Sequence, residues 1–535
     1  MTRITVAEAL VRRLADHGVR RFFGVPGGDC SLDLIDAAPR YGIEFVLTRT
    51  ETSAAIMAGV TAGLTGTPGV LMTTRGPGIA NAVNGVACAS LDRTPLLVLS
   101  DGQELNHGHV SHQRFDQAAV LRPLVKAESS LEGAHPVAEL DALLHAAAAA
   151  PAGPVYLELI GQRVRAAAPE AVPAPLIRPV TPQPLEIALE AARAVLGACR
   201  RPVIIAGLQA VEEGACRALR ALAAAWDCPV LTTYMAKGVI AESDVRAVGC
   251  FISGAAEDPL LRSADAIVLF GADPIEFMPQ PWRYDQPVVQ ISTHGFARPY
   301  LRPAAAVVGD LPAAGAALAK AVVPGGWPAE EVAGARAAMR ALAFAPEDGD
   351  FSPGAIVAAL AGAAPPDTAI AVDAGAHMLP VMALWPVERP GGAFISRGLA
   401  TMGYALPAGI ALSLAQPDRA VVAFTGDGGL MMCAAELATA AQLGCRLVVV
   451  VLNDASMSLI KVKQRRRQLQ AQGMDYTPVD FAAVARGFGC LGLRVETAEA
   501  LLPAFRQAME ANGPALIDLT VDPESYHVSV RRLRG

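Results

Sequence analysis

The thirty residues from Thr425 to Asp454, TGDGGLMMCAAELATAAQLGCRLVVVVLND, carry the reading on which the fold turns. They follow an apolar run, Ala420–Phe424, and pass through a glycine-rich turn into a helical pattern closed by Gly444. They end in four valines and a leucine, a strand buried on both faces of the kind found in parallel sheets. Strand, helix and strand make a βαβ unit, so the two strands are expected to be parallel and adjacent. The polar pair at the tip, Asn453 and Asp454, suits an ordinary turn, because both side chains bond nearby backbone. In a βαβ unit, however, Asp427 and Asp454 both lie beyond carboxyl ends of strands, where open α/β sheets bind ligands. Neighbouring strands are about 4.8 Å apart, and two acids that close repel unless a cation separates them. Gly426, Gly428 and Gly429 let the turn present amides to an anion. Phosphate-binding amides beside acids are reconciled by Mg2+, which prefers carboxylates together with phosphate oxygens. The stretch therefore reads as a metal-diphosphate site, and it contains neither GxGxxG nor GxxxxGK[ST].

The rest of the chain sets the frame. Its 535 residues make two to four domains. A net charge of -7 argues against a nucleic-acid surface. The apolar residues, 53% of the chain, are interrupted by Gly, Pro and charge, so no membrane helix is expected. MTRITVAEALVRRLADHG reads as a helix capped by Thr5 and Glu8 and stopped at Gly18 rather than as a signal peptide. Nine cysteines without a CxxC pair favour neither disulfides nor zinc, and a reducing cytoplasm fits. Alternating strand and helix patterns indicate α/β architecture throughout, in three doubly wound parallel-sheet domains. Pro- and Ala-rich stretches at 165–184 and 323–353 read as linkers and leave domains at 1–165, 185–322 and 354–535. The outer two domains share a pattern. AGVTAGLTGTPGVLMTTRGPG (58–78) aligns without gaps on AGIALSLAQPDRAVVAFTGDG (408–428), at a constant offset of 350 positions, which points to duplication.

GDG followed some two dozen residues later by an Asn pair is the cofactor motif of thiamine diphosphate (ThDP) enzymes, and the stretch Thr425–Asp454 resembles it. With FFGVPGG, RTETSAAIMAGVTAGLTGTPGV, GPGIANAVNGVACASLDRTPLLVLSDG, TMGYALPAGIALSLAQPDRAVVAFTGDGG and the ending VDPESYHVSVRRLRG, the chain is similar over nearly its whole length to acetolactate synthase-like decarboxylases and carboligases. The resemblance implies a pyrimidine-binding first domain, a Rossmann-like middle domain and a diphosphate-binding third domain. It implies ThDP and Mg2+ as cofactors, with Asp427, Asp454 and the Ser456 carbonyl as metal ligands. It implies ThDP contacts from Gly375, Ala376 and His377 in DAGAHM, from the Ala400 carbonyl, from Met402, and from Gly426, Asp427, Gly428, Gly429, Asp454 and Met457. His377 reads equally as an ordinary surface histidine. Asp454 departs from the second Asn usual in the family, and metal dependence is expected to steepen as it protonates at low pH.

The same resemblance makes Glu51 the acid that activates the cofactor through its pyrimidine; on its own, Thr48-x-x-Glu51 reads as a helix capping box. Gln113 stands where synthases place a pocket glutamine. His107, His109 and His112 suit either proton relay or a solvated loop. Leu459 and Ile460 fill the region where simple pyruvate decarboxylases carry a glutamate, which favours carboligation. Lys461, Lys463 and Arg75 depart from the family pattern and are candidates to meet an anionic substrate or to lie solvated. The middle domain has no segment like the FAD-associated one of some relatives, and FAD is not expected. The implied activity is decarboxylation of a 2-oxo acid with transfer of the acyl anion equivalent to a carbonyl acceptor. A decarboxylase that releases an aldehyde and a non-catalytic ThDP-binding subunit are the alternatives. The implied assembly is a homodimer or homotetramer with active sites at the subunit interface.

Overall fold

The valine run is a strand: Val448–Asn453 is buried at every position and pairs in parallel with Val421–Gly426 on one side and Ala515–Thr520 on the other. Branched side chains packed on both faces hold it there, since a βαβ crossover covers each face of the sheet. The computed structural model describes residues 4–102, 112–169, 179–344 and 349–534. Its strands form three six-stranded sheets.

The first sheet holds β1 (Arg21–Val25), β2 (Glu44–Leu47), β3 (Gly69–Thr73), β4 (Leu96–Asp101), β5 (Glu128–Ser129) and β6 (Pro154–Leu159), in the order β2-β1-β3-β4-β6-β5. The second holds β7 (Pro202–Ala206), β8 (Val230–Thr232), β9 (Ala247–Cys250), β10 (Ala266–Phe270), β11 (Val288–Ser292) and β12 (Ala305–Val308), in the order β12-β11-β10-β7-β8-β9. The third holds β13 (Ala369–Val372), β14 (Ala393–Ile395), β15 (Val421–Gly426), β16 (Val448–Asn453), β17 (Leu491–Val495) and β18 (Ala515–Thr520), in the order β14-β13-β15-β16-β18-β17. All pairings are parallel. The fold is α/β with three doubly wound sheets.

Counted within its own sheet, the strand order of the first matches that of the third. The helices after β3 and β15 begin at Pro77 and Asp427, the same 350-residue offset that the sequence alignment has. The middle sheet has the dinucleotide-fold order, with its switch point between β7 and β10. There the buried Glu276 carboxylate accepts the amides of Leu208 and Asp273 (both 3.0 Å) and the Thr233 hydroxyl, so the amide at the turn after β7 is engaged by the chain's own acid.

By contacts the chain divides into two compact units. The first is Met1–Val180 with Ile410–Gln416 and Cys433–Cys445; the second is Thr181–Gly409 with Pro417–Met432 and Arg446–Gly535. In the first, Phe22, Leu34, Met72, Leu99 and Leu157 pack in a core around the first sheet. One local expectation changes. The stretch 323–353, read as a linker, carries the helix Ala329–Ala343, whose Val332, Met339 and Ala343 are buried; its alanines favour helix. The helix expected through AAELATAAQLG is Glu436–Gln442, and a short helix, Asp427–Met431, precedes it. All nine cysteines are free and buried. No helix among the described residues is long and apolar enough to cross a membrane.

Candidate active site

In the ladder between β15 and β16, Gly426 pairs with Leu452, so Asp427 and Asp454 leave neighbouring strand ends. The Asp427 carboxylate accepts the amides of Gly428 at 2.8 Å and Ala455 at 2.7 Å, and the second bond ties one strand tip to the other. Asp454 accepts the Ser456 amide at 3.0 Å and the Ser458 hydroxyl. Burial, reinforced by the charge of Asp427, pushes the Asp454 acid up to about 7, and burial also raises Asp427. One acid raising another in a buried site is what a cation would relieve. Asn453 does something else: its amide donates to the Val479 carbonyl and to Asp518, each at 2.9 Å, and so braces β18. Adjacent residues at a strand end point to opposite sides, and only Asp454 of the pair faces the ligand side.

That side is a cavity of about 330 Å³ formed within the second unit. Gly426, Asp427, Gly428 and Gly429 line it from the turn after β15, and Asp454, Ser456 and Met457 from the loop after β16. Gly375, Ala376 and His377 line it from the turn after β13, and Ala400 and Met402 from the segment after β14. His377 is buried, not a surface residue; burial pushes it down to about 4, so it is neutral at pH 7. Ala400 and Ala455 have φ of +54° and +53°, left-handed backbone in residues that carry a Cβ, a strain typical of binding loops.

Asp373, which the sequence reading did not single out, holds three of these segments together. Fully buried, it accepts amides from Ala374 (2.8 Å), Gly403 (3.0 Å) and Tyr404 (3.3 Å) and the Thr425 hydroxyl (2.9 Å). Burial pushes it up to about 6. A Cβ at Gly429 would stand 2.4 Å from its Oδ2, so that glycine is required by close approach. Tyr476, Tyr526, Arg397 and Met278 were also missed. Tyr526, Arg397 and Met278 line the cavity, and a Cβ at Gly428 would stand 3.2 Å from the Tyr476 hydroxyl. Each comes from a distant part of the chain and carries no local motif.

One buried polar atom at this site, His377 Nε2, has no hydrogen-bond partner among the described residues, while the Tyr476 hydroxyl bonds Asp427. An unpartnered imidazole nitrogen beside two carboxylates fits a polyoxygen anion carried with a metal ion. Among the described residues no three acidic, His or Cys side chains gather as a complete metal cage. Two carboxylates alone suit Mg2+ that takes further oxygens from backbone and phosphate.

The remaining expected residues lie in the first unit. Glu51 opens the helix Glu51–Thr65 and is buried. The cap of that helix is Thr50, whose hydroxyl accepts the Ser53 amide, while Thr48 bonds the Thr50 carbonyl. Glu51 is thus released from the capping box expected with Thr48, and it accepts the Asn81 amide at 3.3 Å. Burial raises its acid. The amides of Arg49 and Thr50 donate to Glu436 at 2.9 and 3.0 Å, so an acid from a helix nearly 400 residues away anchors the approach to Glu51. Gln113 is exposed with φ +58°; the buried glutamine nearby is Gln117, which accepts the Gly76 amide at 2.7 Å. Arg75 lies 3.4 Å from Asp29, Lys461 2.9 Å from Asp475, and Lys463 lines the cavity. His112 is exposed, whereas His107 and His109 lie outside the described residues.

Family comparison gives three matches in chain order. These are the N-terminal TPP-binding domain of thiamine pyrophosphate enzymes at residues 4–120, their central domain at 189–318 and their C-terminal TPP-binding domain at 373–519. An acetolactate synthase of Bacillus subtilis is 28% identical over 96% of this chain and 93% of its own length. A protein of Pseudomonas aeruginosa named "Probable 2-ketoarginine decarboxylase" is 30% identical over 96% of this chain and 94% of its own length. The acetolactate synthase isozyme 3 large subunit of Escherichia coli is 29% identical over 100% and 98%. With three TPP-enzyme domains in order and a cavity that joins paired acids to a phosphate-compatible wall, the chain belongs to the thiamine pyrophosphate enzymes.

Proposed function

We propose that the protein is a Mg2+- and ThDP-dependent enzyme that decarboxylates a 2-oxo acid and transfers the resulting acyl anion equivalent to a carbonyl acceptor. The observation that carries this reading is the single cavity in which Asp427 and Asp454 meet the turns of Gly375–His377 and Gly426–Gly429. Bound there, ThDP would supply a nucleophilic carbon and an electron sink for the loss of CO2. Asp427, Asp454 and the Ser456 carbonyl would hold the metal, and Gly375, Ala376, the neutral His377, Gly428 and Gly429 the diphosphate. Ala400 and Met402 would support the aminopyrimidine and the bend of the cofactor, with Met457 packed beside them. Glu51 would hold the proton exchanged with the pyrimidine; its burial favours the protonated form that this role needs.

The cavity belongs to the second unit and Glu51 and Gln113 to the first. We place Glu51 of one protomer at the cavity of another, which makes a homodimer the minimum active assembly and a homotetramer a pair of such dimers. Gln113, exposed within one chain, would meet the acceptor there.

Ligation is preferred to aldehyde release because Leu459 and Ile460 make this part of the cavity wall aliphatic and offer no acid to protonate the decarboxylated intermediate. The similarity to the Pseudomonas protein named as a decarboxylase favours the second reading, a simple decarboxylase. Product analysis after turnover with a 2-oxo acid and an aldehyde separates them. A hydroxyketone is expected, and free aldehyde as the main product would replace the first reading with the second.

A further inference from the structure

Three basic residues stand at alternate positions on the helix Ser458–Arg466: Lys461, Lys463 and Arg465. Lys461 is paired with Asp475 at 2.9 Å and Arg465 with Glu524 at 2.5 Å. Lys463 has no acidic partner among the described residues, and it lines the cavity. Arg397, between β14 and Ala400, lines the same cavity. Its Nε donates to the Glu276 carbonyl at 3.0 Å, and its guanidinium carbon lies 5.7 Å from the centre of the Tyr234 ring. The guanidinium is therefore held in place. Around these two cations the wall is apolar, with Met278, Met457, Leu459 and Ile460.

The charges of the cavity decide what it accepts. Its acids are Asp427 and Asp454, and on the reading above a metal ion takes both. His377 is neutral at pH 7. Arg397 and Lys463 are the two cations that line the cavity. A 2-oxo acid brings one carboxylate, but that group leaves as CO2 and loses its charge on the way. A cation that bound it tightly would stabilise the ground state more than the transition state and slow the step. Two cations in this wall match an anionic group that the substrate keeps.

We propose that the donor is a 2-oxo acid with a second, distal carboxylate, and that Arg397 and Lys463 determine this specificity by binding it. Arg397 offers a planar fork suited to a carboxylate, and Lys463 a mobile point charge in the same cavity. In the reaction the bond between the carbonyl carbon and the adjacent carboxylate breaks, CO2 departs and the electron pair stays on the former carbonyl carbon. The distal carboxylate passes unchanged into the product. The inference rests on the decarboxylase reading.

The test compares CO2 release from 2-oxoglutarate with release from 5-methyl-2-oxohexanoate, which has a similar shape and lacks the distal charge, using wild-type protein with Mg2+ and ThDP and no acceptor. A kcat/KM ratio of at least tenfold in favour of the dicarboxylate is expected, carried mainly by KM. In Arg397→Met and in Lys463→Met that ratio falls at least threefold, and Arg397→Lys recovers part of it. ThDP binding, read by tryptophan fluorescence, checks that the variants remain folded. Equal turnover of the two acids by wild type overturns the proposal and leaves the decarboxylase reading standing, as does a ratio that neither substitution changes. A charge preference that appears only when an acceptor is added also overturns it, because the carboxylate bound is then the acceptor's. No CO2 from any 2-oxo acid, with ThDP bound, overturns the decarboxylase reading and this inference together.

Discussion

The amides of Arg49 and Thr50, two consecutive donors just ahead of Glu51, both end on the buried carboxylate of Glu436. Glu436→Ala leaves them without that acceptor, a loss of about 1–3 kcal/mol for a buried unsatisfied group. Chemical denaturation should register that loss together with a reduced turnover, and a stability unchanged within error would deny Glu436 its anchoring role. Two glycines separate approach from conformation. At Gly429 an added Cβ meets Asp373 at 2.4 Å, whereas at Gly444, with φ +62°, nothing lies within 4 Å. Gly429→Ala should weaken ThDP binding at least tenfold by displacing Asp373, while Gly444→Ala should cost about 1 kcal/mol of stability and leave ThDP affinity near that of wild type. Equal effects in a ThDP titration would contradict this assignment. The placement of Asp427 and Asp454 beyond neighbouring strand ends was legible in the sequence because short motifs surround them. Glu436, Asp373 and Tyr476 were not, since their partners lie tens to hundreds of residues away and nothing local marks them.

On the proposed reading, the strand pair β15 and β16 carries the metal ligands Asp427 and Asp454. Burial and the charge of Asp427 push Asp454 up to about 7, well above its ordinary acid range. In the metal-free protein the folded state therefore holds a proton that the unfolded chain has already released above about pH 4. Its contribution to stability is fullest below that pH and is lost as pH rises toward 7. Metal must displace the same proton, so Mg2+ affinity should rise with pH and level off above about 7. Asp454→Asn removes the competition and should flatten the profile; calorimetric titrations between pH 5.5 and 8 that coincide for the two proteins would contradict it. The βαβ unit was legible because its strands are continuous apolar runs and its turn is glycine-rich. The short helix Asp427–Met431 was not, because the glycines of TGDGG read as a turn.

Across the whole molecule, the matching strand orders of the first and third sheets give the duplication seen in the alignment a structural counterpart. The three-sheet architecture was readable from the rhythm of strands and helices. The exposed Gln113 and the buried Gln117, which opens the helix Gln117–Leu121, could not be told apart, since they stand four positions apart and no local motif marks which is buried. If Glu51 serves the cavity of another protomer, two inactive variants complement each other. Mixing Glu51→Gln with Asp427→Ala under conditions that exchange subunits should restore about a quarter of wild-type activity, since half of the dimers are mixed and each then has one intact site. No recovery despite demonstrated exchange would place both residues in one chain's site. The most direct measurement is CO2 release from 2-oxo acids with Mg2+ and ThDP, with ThDP binding followed in the same samples of wild type and Glu51→Gln. The expected result is ThDP binding by both proteins and CO2 release that falls at least a hundredfold in Glu51→Gln. CO2 release that is equal in the two, or absent from wild type with ThDP bound, would contradict the assignment of this chain as a Glu51-activated 2-oxo acid decarboxylating enzyme.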